Sequence, residues 1–312
     1  MRFNPKADIG GGRISTGGGG GGLGGGLGGG GLGGGSGPRI PIPGGMGIKG
    51  TIVIIVLYVI LQMCTSGGLP GPSLGQSDTP TQQQGDTSTY DACKTGADAN
   101  EDANCARKAV VYSLEQYWET QLPDGKFKVA PVVTFTGNTS TACGSASSGM
   151  GPFYCPADQT IYQDPSFYEQ IFEGQLGGEN ADFVEAYVLG HEYGHHIQNI
   201  TGEMKNVRTQ QGENSDAVKL ELEADCYAGA WTKAATGVQD DKGVAIFEVI
   251  DDDDIREAIN AAKTVGDDSI QKKTQGSVNP DGWTHGSSEQ RMQSFQAGYQ
   301  GSSPEVCRSI WD

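Results

Sequence analysis

Basic residues and histidines are scarce in this sequence, and both shortages limit what the protein can be. Lysine and arginine number 21 against 38 acidic residues, a formal net charge of −17. So acidic a chain argues against nucleic-acid binding, which needs a basic surface. No C-x-x-C pair occurs, which disfavours a zinc site built from cysteines. Only four histidines occur in 312 residues, so any place where they cluster is informative.

Long apolar runs are also rare, and the longest is residues 50–64, GTIVIIVLYVILQMC, which carries no charge. Up to Lys49 the chain has five basic residues and one acidic residue. A basic flank before an apolar run of nearly 20 residues predicts a single-pass transmembrane anchor, residues 48–66, with a cytoplasmic N-terminus. A buried core helix and a cleavable signal peptide are the alternatives, but the leader is far longer than is usual for a signal peptide.

The segments around this run are low in complexity. Residues 1–47 are rich in glycine and are predicted to form a disordered cytoplasmic segment. Residues 67–90 are rich in Pro, Gly, Ser, Thr and Gln and predict a flexible linker. Residues 91–312 are then the main folded domain, placed outside the cytoplasm in the periplasm or at the cell surface.

Six cysteines follow the predicted anchor, an even number that favours disulfides in an oxidising compartment. Sequence alone allows 15 connectivities for six cysteines. Closing the two short loops first predicts the pairs Cys93–Cys105, Cys143–Cys155 and Cys226–Cys307. Free buried thiols are the alternative.

Three of the four histidines lie in VLGHEYGHHIQ, where His191, Glu192 and His195 form an H-E-x-x-H pattern. Apolar residues at helical spacing precede it and Gly202 follows it, so we expect one helix through the motif, capped by Asn180 or Asp182. Residues four apart share a helix face, so both imidazoles can bind one metal ion.

A catalytic zinc ion usually takes a third protein ligand and one water. The predicted helix from Asp216 to Gly237 contains Glu221 and Asp225, again four residues apart. Glu221 can bind the ion, and Asp225 can accept the spare N–H of a ligand histidine. Glu223 is expected to face solvent. The alternative is that these acids form an ordinary solvated face.

Five ordered blocks, GPFYCP, LGHEYGHHIQ, ELEADCYAG, GDDSIQ and THGSSEQR, resemble the bacterial neutral zinc metallopeptidase family, with gluzincin-like H-E-x-x-H and E-x-x-A-D motifs. The resemblance implies an α+β, zincin-like domain with a helical active-site core and a small sheet. It implies one zinc ion bound by His191, His195 and Glu221, with Glu192 as general base and Asp225 orienting a ligand.

The fourth histidine lies in THGSSEQR, six residues before Arg291. This spacing resembles the His-x5-Arg of heat-shock-type peptidases, where proline follows the histidine; here Gly286 follows it. We hypothesise that His285 stabilises the developing oxyanion and that Arg291 binds Asp225 or another buried acid. A capping or core histidine is the alternative.

The remaining polar clusters favour structural roles. His196 lies off the metal-binding face and is expected to make a structural hydrogen bond. Asp251–Asp254 and the pair Asp267 and Asp268 are expected to cap helices or lie at solvated helix ends, because the oxygen spacing of an EF-hand is missing.

Two β-rich segments, residues 127–137 and 158–164, predict strands on either side of a loop, residues 143–155, that one disulfide closes. By analogy with zincins, residues 152–162 are expected to line the cleft. The sequence therefore predicts a membrane-anchored zinc endopeptidase that acts on peptides or proteins. The alternatives are an inactive zinc-stapled scaffold protein of the cell envelope and a zinc hydrolase of cell-wall amides.

Overall fold

The computed structural model describes residues 1–17, 86–179 and 181–312. The predicted anchor, residues 48–66, and most of the predicted linker lie outside these residues, as does Asn180, one of the two proposed caps. In the described part of the chain, no helix is both long and apolar enough to cross a bilayer.

Helices make up most of the domain. They are α1 (Gly96–Glu101), α2 (Ala103–Gln121), α3 (Asp182–Thr201), α4 (Asp216–Ala234), α5 (Asp252–Thr264), α6 (Asp267–Gln275) and α7 (Ser288–Gly301). A π-helical turn at Tyr168–Glu173 and short 3₁₀ turns, among them Glu203–Asn206 and the C-terminal Pro304–Trp311, lie between and after them. The mixture of helices and strands confirms the α+β prediction.

The strands are β1 (Arg2–Phe3), β2 (Ile14–Thr16), β3 (Val132–Thr134), β4 (Asn138–Thr141), β5 (Gly144–Ser147), β6 (Phe153–Cys155), β7 (Thr160–Gln163) and β8 (Phe247–Val249). The main sheet has the order β2-β3-β7-β6, in which β6 is an edge strand antiparallel to β7 and the other pairs are parallel. The predicted strand segments thus contain β3 and β7, whereas the predicted loop between them contains β5 and β6.

The first 17 residues belong to the folded domain. Strand β1 pairs with β8, and β2 pairs with β3 through Ile14 and Val132. Phe3, Ile9 and Ile14 are at most 5% exposed in the main core. The prediction of a disordered segment is therefore wrong for residues 1–17, because four apolar side chains there, including Ala7, are buried. The predicted domain boundary at residue 91 leaves this arm out.

This arm also bears on the predicted membrane topology. The main sheet contains a strand from residues 1–17, β2, and strands from residues 86–312. Thr16 and Asp86 also exchange two backbone hydrogen bonds of 2.7 and 2.9 Å. A single membrane crossing between them requires the N-terminus and the domain to lie on opposite sides of a bilayer. A cytoplasmic N-terminus with an extracytoplasmic domain is therefore incompatible with this fold.

Three disulfides join the predicted pairs and confirm the predicted connectivity. They are Cys93–Cys105, Cys143–Cys155 and Cys226–Cys307. The first two close short loops, and the third ties the C-terminal turn to α4 across 81 residues. Cross-linking distant residues limits the unfolded ensemble and so stabilises the fold.

Candidate metal centre

Three side chains from two helices converge at the centre of the domain. On α3, Nε2 of His191 lies 3.2 Å from Oε2 of Glu221 on α4, and Nε2 of His195 lies 3.4 Å from Oε1 of the same carboxylate. Around a tetrahedral zinc ion with bonds of about 2.0–2.1 Å, neighbouring ligand atoms lie about 3.3 Å apart. Two imidazole nitrogens and a carboxylate oxygen also match zinc's preferred donors. The predicted ligands therefore fit one zinc ion.

Close packing of α3 on α4 brings these ligands together. Gly190 and Gly194 alternate with the histidines on α3, and a Cβ built on Gly194 would lie 3.0 Å from Cα of Ala224. One built on Gly190 would lie 3.3 Å from Cβ of Ala228. Small residues on both helices let the two backbones approach closely. The carboxylate of Glu221 on α4 can therefore reach the imidazoles of His191 and His195 on α3. The helix continues through the motif as predicted and ends at Gly202, which is left-handed with φ of 90°.

Asp225 fixes the orientation of His191. Its Oδ1 lies 2.8 Å from Nδ1 of His191 and accepts a hydrogen bond of 2.5 Å from the hydroxyl of Tyr187. Arg291 on α7 donates to both oxygens, from Nε at 2.8 Å and from Nη2 at 2.9 Å. This bidentate pair joins α7 to α4, as predicted for Arg291. Because the carboxylate accepts the Nδ1 proton, Nε2 keeps its lone pair for a metal ion.

The charges in this network oppose the cost of burial. Asp225 is 0% exposed, and burial alone raises the pKa of a carboxyl. Arg291 and then His191 outweigh that effect and lower the pKa of Asp225 to about 2. Asp225 therefore stays ionised at neutral pH and can hold the proton of the imidazole in place.

Glu192 faces the same cavity as the three candidate ligands. Burial raises the pKa of its carboxyl, while the neighbouring His195 and His191 and the backbone of Tyr154 on β6 oppose that shift. A carboxyl with a raised pKa accepts and releases a proton more readily near neutral pH than an ordinary glutamate does. The position and pKa of Glu192 suit a general base.

His285 also lines this cavity. Its Nδ1 lies 2.8 Å from the Thr284 hydroxyl and 3.4 Å from Oδ1 of Asp267. The other oxygen of Asp267 accepts hydrogen bonds of 2.7 to 3.0 Å from the backbone N–H groups of Thr284, His285 and Gly286. Burial lowers the pKa of His285, but the charges of Glu221 and Asp267 outweigh burial and raise it.

The cavity holding these groups has a volume of about 960 Å³ and is mostly apolar away from the metal site. Its walls include the edge strand β6 and the preceding residues, the π-helical turn, and the start of α4. The predicted cleft segment contributes Pro152, Phe153, Tyr154, Pro156 and Ala157 to it. In the part of the chain that the structure describes, β6 ends the main sheet, and an edge strand beside such a cavity is suited to binding an extended peptide.

Two of the predictions for the neighbouring polar residues hold. His196 makes structural hydrogen bonds: its Nε2 donates to the Lys128 carbonyl at 2.6 Å, and Nδ1 lies 3.0 Å from the Tyr154 hydroxyl. Burial lowers the pKa of His196 to about 4. Asp251 and Asp254 form a capping box at the start of α5, as expected.

Three predictions were wrong or incomplete. Glu223 is 0% exposed and does not face solvent; burial, and next the charge of Glu203, raise its pKa to about 7. Asp267 does not lie at a solvated end, because it holds the backbone of the His285 loop. Asp182 is the first residue of α3 and does not cap it, since the N-cap is Ala181 and has no side-chain hydrogen bond.

Sequence reasoning missed three residues that contact the site: Tyr187, Gln198 and Asp267. Tyr187 lies one helical turn before His191, and Gln198 lies three residues after His195, so the 3.6-residue period places both beside the ligands. Asp267 lies 18 residues from His285, and no spacing rule links the two.

Comparisons with known proteins agree with this geometry. A family model described as "Putative neutral zinc metallopeptidase" matches residues 6–310. An uncharacterized protein of Mycobacterium tuberculosis (strain H37Rv) is 45% identical over 219 residues, covering 69% of this chain and 73% of the relative. The uncharacterized protein YpfJ of Escherichia coli K12 is 37% identical over 283 residues, or 88% of this chain and 90% of the relative. No solved structure matches.

Proposed function

The chain belongs to the neutral zinc metallopeptidase family, and from this premise we propose that it is a zinc-dependent endopeptidase whose metal ligands are His191, His195 and Glu221. The observation that carries the proposal is the 3.2 and 3.4 Å spacing between the Glu221 oxygens and the two imidazole nitrogens.

An incomplete ligand set supports catalysis over a purely structural metal. Among the described residues, the group that can hold an ion at this site has three members. Structural zinc sites are usually closed by four protein ligands, whereas catalytic sites keep one position open. This open position favours an enzyme over the scaffold alternative.

Zinc bound there supplies Lewis acidity, which polarises a carbonyl and makes a water more acidic. Glu192 accepts a proton from the attacking water and passes it to the departing amine, so one carboxyl serves as base and then as acid. His285 donates a hydrogen bond to the oxygen on which negative charge develops, because its ring lines the same cavity as the ligands while its Nδ1 faces Thr284 and Asp267. Asp267 and Thr284 hold that ring in the cavity wall.

The edge strand β6 offers a way to bind substrate. Within the described residues, β6 pairs with a strand, β7, on one side only, so an extended peptide can pair with the backbone of its other edge. The cavity beside β6 has mostly apolar walls, which suits a stretch of a peptide or protein chain.

The three disulfides support a location outside the cytoplasm, where such bonds persist. Because residues 1–17 pair with β3 and β8, we place them on the same side as the rest of the domain.

The test compares the parent protein with Glu192→Gln, each loaded with one equivalent of zinc, on casein and on a peptide library. We expect the parent to cleave internal peptide bonds, 1,10-phenanthroline to abolish cleavage, and Glu192→Gln to bind zinc but not cleave. Equal cleavage by the variant at equal zinc content would exclude Glu192 as the base. If the parent protein has no hydrolase activity and the chelator only lowers its melting temperature, the scaffold alternative is favoured.

A further inference from the structure

The second candidate ligand, His195, has an outer contact different from that of His191. Its Nδ1 lies 2.8 Å from Oε1 of Gln198, one turn further along α3. Gln198 is 0% exposed. The imidazole of His191 thus meets a carboxylate, and that of His195 meets a neutral amide.

The orientation of this amide is fixed by its other neighbours. Nε2 of Gln198 donates to the Leu220 carbonyl at 2.7 Å and to Oε2 of Glu223 at 2.9 Å. A backbone carbonyl only accepts hydrogen bonds, so the NH₂ group must point towards Leu220 and Oε1 must point towards His195. The Nδ1 of His195 is therefore the donor, and its Nε2 keeps the lone pair directed at the metal site.

Gln198 also connects the two helices that carry the metal ligands. It belongs to α3, and both groups that accept its hydrogen bonds belong to α4, where Leu220 immediately precedes Glu221. The same amide therefore sets the ring orientation of His195 and links it to the backbone beside the third ligand. A side chain with one acceptor and two donors is needed for this arrangement, and glutamine provides them.

Glu223 completes the arrangement. Its second oxygen accepts a hydrogen bond of 3.2 Å from the hydroxyl of Tyr227. In the described part of the chain no lysine or arginine forms an ion pair with Glu223, unlike Asp225 with Arg291. A fully buried acid without a cation is costly unless hydrogen bonds satisfy it. The hydrogen bonds to Glu223 include one from the amide that contacts His195 and one from Tyr227.

We propose that Gln198, held in place by Glu223, is a positioning residue that fixes the tautomer and orientation of His195 for metal binding. The proposal rests on the metal site described under the proposed function, but not on the peptidase activity. Partners of this kind behind a ligand histidine typically change metal affinity by about 10- to 100-fold when removed.

The experiment measures the zinc dissociation constant of the full-length protein by competition with a chromophoric chelator. We expect Gln198→Met to weaken zinc binding about 10- to 100-fold, and Glu223→Leu to weaken it in the same direction. Glu223→Gln should stay within about threefold of the parent, because an amide oxygen can still accept from Gln198. The matched control is Gln300→Met, at an exposed position on α7, which should leave zinc affinity unchanged.

A second measurement separates positioning from general stability. In ¹⁵N-histidine-labelled protein, the parent should show a protonated Nδ1 on His195, and Gln198→Met should lose that signal or exchange its proton much faster. If Gln198→Met does not fold, Gln198→Asn replaces it, since the shorter amide cannot reach both helices. The proposal is overturned if zinc affinity stays within about threefold in the folded Gln198 variant, or if the Nδ1 proton of His195 is unaffected. These readouts remain valid even if the protein cleaves no peptide, an outcome that would defeat only the proposed function.

Discussion

The N-terminal arm gives the sharpest test of the fold, because its sequence context predicts disorder and the structure buries it. We consider the substitution Ile9→Ala. Ile9 is 0% exposed in the main core, and its backbone N–H donates to the Lys94 carbonyl at 2.9 Å. Replacing a fully buried isoleucine by alanine typically lowers the free energy of unfolding by about 2 to 5 kcal/mol. If residues 1–17 were disordered, the same change would cost nothing.

For a domain of this size, about 1 kcal/mol corresponds to roughly 2 to 4 °C in melting temperature. We therefore expect Ile9→Ala to lower the melting temperature of the full-length chain by about 4 to 20 °C, measured by circular dichroism at matched zinc content. The control is Val278→Ala, because Val278 is 44% exposed and should change stability by less than about 0.5 kcal/mol. Equal melting temperatures for parent and Ile9→Ala would refute the placement of the arm.

Three further predictions concern the site and its supports. His285→Ala should lower kcat about 100- to 1000-fold with zinc content unchanged; loss of zinc from the variant would show that His285 supports the metal site and not the oxyanion. Folding lowers the pKa of Asp225 to about 2 from about 3.9 in the unfolded chain, so its carboxylate stabilises the fold above about pH 4, and this contribution is lost as the pH falls through 2. The melting temperature of zinc-free Asp225→Asn should therefore lie well below that of the parent at pH 6 and approach it near pH 2, and a gap independent of pH would contradict the shift. A Cβ built on Gly298 would lie 1.9 Å from the Cys226 carbonyl oxygen, whereas a Cβ built on Gly237 meets nothing within 4 Å. In thermal melts, Gly298→Ala should therefore lower the free energy of unfolding by at least about 1 to 3 kcal/mol, and Gly237→Ala should lower it far less. Similar losses for the two variants would contradict the close packing of α7 on α4.

The pairing of the candidate metal ligands within each helix was predictable from the sequence because helical geometry aligns them. His191 and His195 are four residues apart, as are Glu221 and Asp225, and a helix places each pair on one face. The two faces meet because Gly194 and Ala224 are small and let the helices pack closely. The two sequence motifs contain these residues, but the motifs alone do not predict that the residues touch.

The outer contacts were harder to predict because they depend on how distant elements pack. Glu223 was expected to face solvent, but Gln198 of α3 and the C-terminal turn held by Cys226–Cys307 cover that side of α4. Asp267 binds a loop 18 residues away, and neither helical nor strand periodicity predicts a contact at that separation.

The N-terminal arm escaped detection for a similar reason. Strand β2 has three residues and its partner β3 begins at Val132, so no local hydrophobic alternation reveals the pairing. The neighbouring glycine-rich sequence and the apolar run at residues 50–64 dominate any reading of that region. The burial of Phe3, Ile9 and Ile14 and the pairing of β2 with β3 show that the arm is part of the domain.

X-ray absorption spectroscopy of the zinc-loaded protein, with metal analysis, tests the central claim most directly. We predict one zinc per chain, bound by two imidazole nitrogens and a carboxylate oxygen at about 2.0–2.2 Å, with a further light-atom ligand from solvent. His195→Ala and Glu221→Ala should each remove one of these protein ligands from the spectrum. Zinc bound by sulfur, or a spectrum that neither substitution changes, would contradict the assignment of the site.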